Sequence, residues 1–188
     1  MRVFFALVPS QSVQNQLASQ ARVVQKQCGG RVIPEKQIHL TLLFLGNVAA
    51  AHIKILKQVM DNVAVREFAF DLNQLGYWKR NQILYAHAPS FPDELFLLAE
   101  SLWNAILDTP LKIKKYTFTP HVTLIRKANQ PDINYPFGMP IHWSAKHWLL
   151  MQSKQTEHGV EYILLGKWNL RKRPSGSHLE IAEPTGKA

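Results

Sequence analysis

His39-Leu40-Thr41-Leu42 and its echo His121-Val122-Thr123-Leu124 each read His, apolar, Thr, apolar. Both sit in apolar runs that read as buried strands, Ile38 to Leu45 and Pro120 to Ile125. On a strand, residues two apart point to the same face. Each tetrad therefore sets an imidazole beside a hydroxyl on one face and aliphatic side chains on the other. Two such strands facing each other make a cage of two His and two Thr. The chain holds eight His and seven Thr in 188 residues. Chance then supplies roughly 0.3 His-x-Thr pairs, so a single copy is a weak signal. Two copies with matching apolar neighbours exceed chance. The plain alternative for either copy is a His and Thr hydrogen-bonded inside an ordinary sheet.

The segments around the tetrads also repeat. Phe5-Ala6-Leu7-Val8-Pro9-Ser10 matches Tyr85-Ala86-His87-Ala88-Pro89-Ser90. Each copy leads into a helical pattern and then into its His-x-Thr strand. Val13, Leu17, Ala21 and Val24 mark the first helix, with Ser10 or Ser12 as N-cap and Gly29-Gly30 as its stop. Leu95, Leu98, Leu102 and Ile106 mark the corresponding helix of the second copy, and Ile53 to Val63 marks a helix between the copies. Two copies of a strand-helix-strand unit predict a pseudo-twofold, two-lobed α+β fold with a cleft between the lobes. Further strands are expected at Phe68 to Leu72, Ile83 to Ala88, Trp148 to Ser153 and Val160 to Trp168, with loops at Arg31 to Lys36 and 128–140 and a polar turn at Gly76 to Asn81.

Composition limits the function classes. A 46% hydrophobic content and five Trp support a packed core rather than disorder. Cys28 is the only cysteine, which excludes a disulfide framework and a cysteine metal site. A formal charge of +9 favours an anionic partner. No run reaches transmembrane length, and Val3 to Val8 is short for a signal peptide. A cytoplasmic protein away from membranes is expected. Residues 1–170 read as a single bilobal domain and 171–188 as a mobile basic and polar tail.

Three chemistries compete for the tetrads. Two His without a carboxylate or Cys at matching positions are too few for a metal site. No Gly-x-Ser-x-Gly elbow is present, and Thr is a poor nucleophile without a dedicated base. Metal-free acid/base catalysis on a phosphodiester uses all four side chains. One imidazole takes a proton, the other gives one, and the hydroxyls donate to phosphate oxygens. Symmetry leaves open which His does which.

These residues resemble the 2H phosphoesterase superfamily, and most of all its bacterial LigT-like branch of RNA 2′,3′-cyclic phosphodiesterases, also called 2′-5′ RNA ligases. The resemblance rests on Arg2 to Ala6, on HLTLLFLG at His39 to Gly46, on Gly76-Tyr77-Trp78, and on FTPHVTLIR at Phe118 to Arg126. It implies two antiparallel sheets forming a central cleft with helices outside. It implies hydrolysis of an RNA 3′-terminal 2′,3′-cyclic phosphate to a 2′-phosphate, with His121 as proton acceptor and His39 as proton donor. Thr41 and Thr123 would hold the phosphate, Phe5 would stack on the terminal base, and Arg126 would bind substrate. Arg126 lies three residues past Thr123, so it reaches the cleft only from a strand end or past a bulge. His87 and His147 are the other two imidazoles that could fall near the cleft.

The expected partner is RNA or a nucleotide ending in a 2′,3′-cyclic phosphate, tRNA fragments among them, bound by a monomer with no cofactor. Reversal would give ATP-independent 2′-5′ ligation, since no P-loop or nucleotidyl-transfer lysine motif is present. The alternatives are a phosphodiesterase of small cyclic nucleotides or 2′-5′ linked oligonucleotides, and an RNA-binding or tRNA-processing accessory protein.

Overall fold

The structure is a computed structural model that describes residues 1–114, 116–129, 138–157 and 159–172. The strands are β1 (Arg2–Leu7), β2 (Arg31–Val32), β3 (Leu40–Asn47), β4 (Phe68–Leu72), β5 (Gln74–Trp78), β6 (Ile83–His87), β7 (Val122–Arg126), β8 (Ile141–Ala145), β9 (His147–Thr156) and β10 (Gly159–Asn169). The helices are α1 (Gln11–Cys28), α2 (Ala50–Met60) and α3 (Asp93–Leu107), with a 3-10 turn at Glu35–Gln37.

Local sequence explains the first copy well. The Ser10 hydroxyl accepts the Val13 N–H at 3.4 Å and caps α1. Val13, Leu17, Ala18, Ala21, Val24 and Cys28 then fall on one buried stripe. Gly29, at φ 61°, ends the helix and returns its N–H to the Gln25 carbonyl. Gly30 follows at φ 83°, where a Cβ would stand 2.8 Å from the Arg126 carbonyl oxygen. Only glycine lets the chain turn so close to the end of β7.

The main sheet runs β10-β9-β1-β3-β7-β6-β5, with β2 paired to β7, and β4-β8 forms a second, two-stranded sheet. All its pairings are antiparallel. The repeat is visible in this order: β1 flanks β3, β6 flanks β7, and the two tetrad strands adjoin at the centre. Among the described residues, β3 and β7 share one register pair, Leu40 with Val122. The expected two lobes are therefore joined along a narrow seam, with the tetrad strands as neighbours at the floor of the cleft. The helices cross over: α1 packs against β7 and α3 against β3. Each repeat thus supports the other's tetrad, and one apolar core spans both lobes.

Several expectations shift. Gly76-Tyr77-Trp78 belongs to β5 rather than to a turn, which is Lys79 to Gln82. Arg31–Val32 pairs with β7 instead of looping freely. Ile141–Ala145 is a strand whose buried Ile141, Trp143 and Ala145 alternate with exposed residues. Arg171, assigned to the tail, exchanges backbone hydrogen bonds with Val65 and Glu67 at 2.8 Å each. The rest of the tail from 173, and most of the 128–140 loop, lie outside the described residues. No helix among the described residues is long and apolar enough to cross a membrane.

Candidate active site

The two imidazoles are held by the same device. His39 Nδ1 lies 2.6 Å from the Gln37 carbonyl, and His121 Nδ1 lies 2.8 Å from the Thr119 carbonyl. Each partner is the backbone oxygen two residues upstream. A carbonyl only accepts, so each Nδ1 carries the proton and each Nε2 keeps its lone pair. His39 Nε2 accepts from the Thr41 hydroxyl at 3.1 Å. Counting outward from Leu40 and Val122 on antiparallel strands sets Thr41 across from His121 and Thr123 across from His39. All four line one cleft of about 770 Å³. The expected quartet is therefore assembled across the seam.

Arg126 joins it through a bulge. Against consecutive Leu84 and Tyr85, the register of β7 passes from Ile125 to Thr123 and leaves Leu124 as an extra residue. The extra residue shifts the alternation, so Leu124 and Ile125 are both buried and Arg126 comes round to the side of Thr123. The first tetrad does the same. Against Phe5 and Ala6, β3 passes from Leu43 to Thr41 and leaves Leu42 extra. The residue brought round there is Phe44, which is 44% exposed and lines the cleft. Phe44 and Arg126 are pseudo-symmetric partners, each three residues past its Thr.

Phe5 is not at the site. It is 0% exposed and packs edge-on against Trp148 and Trp168, at 5.5 and 6.3 Å. A ring sealed in the core cannot stack on a base. Its neighbour Phe4 faces the cleft and touches the rings of His39 and Phe44 at 5.1 and 5.8 Å. His87 and His147 line none of the cavities described here.

Trp78 and Tyr85 back His121 at 4.4 and 5.7 Å. The Tyr85 ring lies directly over Gly76, where a Cβ would fall 2.3 Å from it. That contact explains the glycine in Gly76-Tyr77-Trp78: a side chain there would displace the ring that supports the imidazole. On the other lobe, Tyr162 meets His39 edge-on at 5.2 Å.

The electrostatics favour an anion. Arg2, Arg31 and Arg126 line the cleft, and among the described residues that line it no carboxylate stands. Burial pushes the His39 imidazole down to about 4, with His121 and Arg126 adding to the effect and the Gln37 carbonyl opposing it. His121 is also lowered by burial and by Arg126, against the pull of the Thr119 carbonyl. Both are neutral near pH 7 in the free protein. A bound phosphate would cancel part of the cationic field and raise both.

Two imidazoles, two hydroxyls and three guanidinium groups around one cleft suit a phosphate ester. The LigT like Phosphoesterase family model matches residues 7–85, which include the first tetrad. The RNA 2′,3′-cyclic phosphodiesterase of Escherichia coli (strain K12) is 25% identical over 169 residues, covering 90% of this chain and 96% of that protein. The protein of the same name from Thermus thermophilus is 29% identical over 184 residues, covering 91% of each. A crystal structure of E. coli LigT complexed with 3′-AMP superposes with a TM-score of 0.83 at 25% identity, over 90% of this chain and 97% of that one. The chain is thus similar to LigT-like phosphoesterases over 88–91% of its length.

Proposed function

We propose that this protein hydrolyses the 2′,3′-cyclic phosphate at an RNA 3′ end to a 2′-phosphate by two-histidine acid/base catalysis. One observation carries the reading. Two imidazoles, each with Nδ1 anchored to the carbonyl two residues back, turn unprotonated Nε2 atoms into one cationic cleft that two hydroxyls also line. Three relatives bearing the name RNA 2′,3′-cyclic phosphodiesterase support the choice of substrate.

His121 Nε2 takes the proton of the attacking water, and His39 Nε2 gives one to the departing 3′-oxygen. Thr41 and Thr123 donate to the non-bridging oxygens, where charge grows in the transition state, and Arg126 balances that charge. The proton on His39 is stabilised by the phosphate, since burial and the Arg126 charge disfavour it in the free protein. The free-protein order of proton affinities does not choose between the two His, so the acid and base roles rest on the family pattern. Both proton positions are filled by protein groups, and neither a metal nor a cofactor is required. The same steps reversed would join a 5′-hydroxyl to the cyclic phosphate as a 2′-5′ linkage without ATP. We read the protein as a cytoplasmic monomer acting on RNA ends, tRNA fragments among them, with residues 1–170 as its catalytic domain.

The test is incubation with 2′,3′-cyclic nucleotides and a short RNA ending in a cyclic phosphate, in EDTA, with the products identified. A 2′-phosphate is expected. A 3′-phosphate, or loss of turnover on chelation, would overturn the mechanism.

A further inference from the structure

A second cavity, of about 550 Å³, opens from the floor of the cleft. The two cavities share Thr41, Phe44, Trp78 and His121 on their rims. His39, Thr123 and Arg126 line only the larger one. At a reacting phosphorus the entering and leaving oxygens lie on opposite sides. If His39 serves the 3′-oxygen of the terminal ribose, that ribose occupies the larger cavity. The oxygen handled by His121 then comes from the direction of the smaller one. Water needs no pocket of this size, whereas 550 Å³ is ample for a nucleoside.

The lining suits one. Trp78, Tyr116 and Phe118 offer ring faces or edges for a base, and Lys79, Arg80 and Asn81 supply cations and an amide for the next phosphate. Lys79 and Arg80 are exposed on the β5–β6 turn. That turn is fixed by Asn81 N–H to the Trp78 carbonyl at 3.2 Å and by Ala128 N–H to the Gln82 carbonyl at 3.0 Å. The second bond ties it to the residues just past Arg126. The pocket is thus built into the same frame as the catalytic groups.

We propose that this smaller cavity is a subsite for a nucleoside with a free 5′-hydroxyl, the 5′ end of a second RNA strand. The inference rests on the acid and base roles given above. In ligation, the 5′-hydroxyl gives its proton to His121 as its oxygen bonds to phosphorus. The P–O3′ bond breaks, and His39 protonates the 3′-oxygen, leaving a 2′-5′ diester. In the reverse direction His39 takes the 3′-hydroxyl proton and the 3′-oxygen bonds to phosphorus. The P–O5′ bond then breaks, and His121 protonates the departing 5′-oxygen.

The test compares wild type with Lys79→Ala/Arg80→Ala on two substrates. One is 2′,3′-cyclic AMP, which fills the larger cavity alone. The other is a short RNA with one internal 2′-5′ linkage, which fills both. The variant should hydrolyse cyclic AMP within about twofold of wild type and lose roughly tenfold or more in kcat/KM on the linked RNA, mostly through KM. Equal loss on both substrates, no loss on either, or a wild type that hydrolyses cyclic AMP but never cuts the linkage overturns the subsite. A parallel titration of a 5′-hydroxyl oligonucleotide reads the pocket without turnover, and equal affinity of variant and wild type also overturns it. If cyclic AMP is not hydrolysed at all, the proposed function fails, and the titration still decides the subsite.

Discussion

Leu40 and Val122 face each other where the two lobes meet, and the pseudo-twofold of the molecule passes between them. Everything chemical follows from that pair by counting. One residue to either side brings His39, Thr41, His121 and Thr123 together. Four residues on, past one bulge in each strand, stand Phe44 and Arg126. The site is symmetric in backbone and asymmetric in its last side chain, an aromatic ring on one lobe and a guanidinium on the other.

Proton affinity gives the pH dependence of the rate. In the proposed mechanism the free enzyme is active with one proton on the His pair. His39 titrates at about 4, and His121 is held below its ordinary 6.5. The value of kcat/KM should peak between those limits and fall tenfold per unit above the upper one. The limb of kcat should lie at higher pH, because bound phosphate raises both groups. Arg126→Ala removes a charge that lowers both His, so the alkaline limb of kcat/KM should move up while KM rises. A limb that stays in place would show that Arg126 does not reach the imidazoles electrostatically.

The same shift gives a stability dependence. Folded His39 titrates at about 4 and the unfolded side chain at 6.5, so the unfolded state takes up the proton first as pH falls. Stability contributed by keeping His39 neutral is intact above 6.5 and lost between 6.5 and 4, by roughly 3 kcal/mol. Urea unfolding of wild type should show that loss, and His39→Gln should flatten it. An unchanged slope in the variant would mean that another group governs acid unfolding.

Phe5 and Phe44 should separate stability from binding. Phe5→Ala empties a core site between Trp148 and Trp168 and should cost about 3–5 kcal/mol. Phe44→Ala, on the exposed wall, should cost under about 1 kcal/mol and instead raise KM for nucleotide substrates. Thermal melts and steady-state kinetics on the two variants read this directly. Weakened binding without lost stability in Phe5→Ala would contradict its burial.

Gly30 and Gly76 are the backbone conditions of the site. Gly30→Ala forces a Cβ onto the Arg126 carbonyl, and Gly76→Ala drives one into Tyr85. Each should lower activity more than its melting shift explains, since each moves a support of the cleft. Activity that falls only in step with stability would make them purely structural.

The tetrads were legible because a period-two pattern places His and Thr on one face whatever the surroundings. The repeat was legible because both copies kept the strand, turn and helix order. Phe5 was misplaced because β1 is central and buried on both sides, with Val3 through Leu7 all inaccessible. Such a strand has no polar alternation to show which ring faces the cleft. Phe44 was missed although the signal existed: it stands three past Thr41, as Arg126 stands three past Thr123. Seeing it required reading both bulges, and a bulge leaves no mark in an apolar run such as Leu42-Leu43 or Leu124-Ile125. The two residues of β2 were too few to show a pattern, and β8 follows a Pro-bearing stretch that reads as loop.

The division of labour between the two His is the central claim, and a leaving-group substitution tests it most directly. His39→Ala and His121→Ala should each lose about a hundredfold to ten-thousandfold on an ordinary 2′,3′-cyclic phosphate while keeping the fold. A cyclic substrate with sulfur in place of the 3′-oxygen expels a thiolate, which needs no proton to depart. On that substrate His39→Ala should recover to within about tenfold of wild type, and His121→Ala should stay inactive. Recovery in His121→Ala, or in neither variant, would contradict the account.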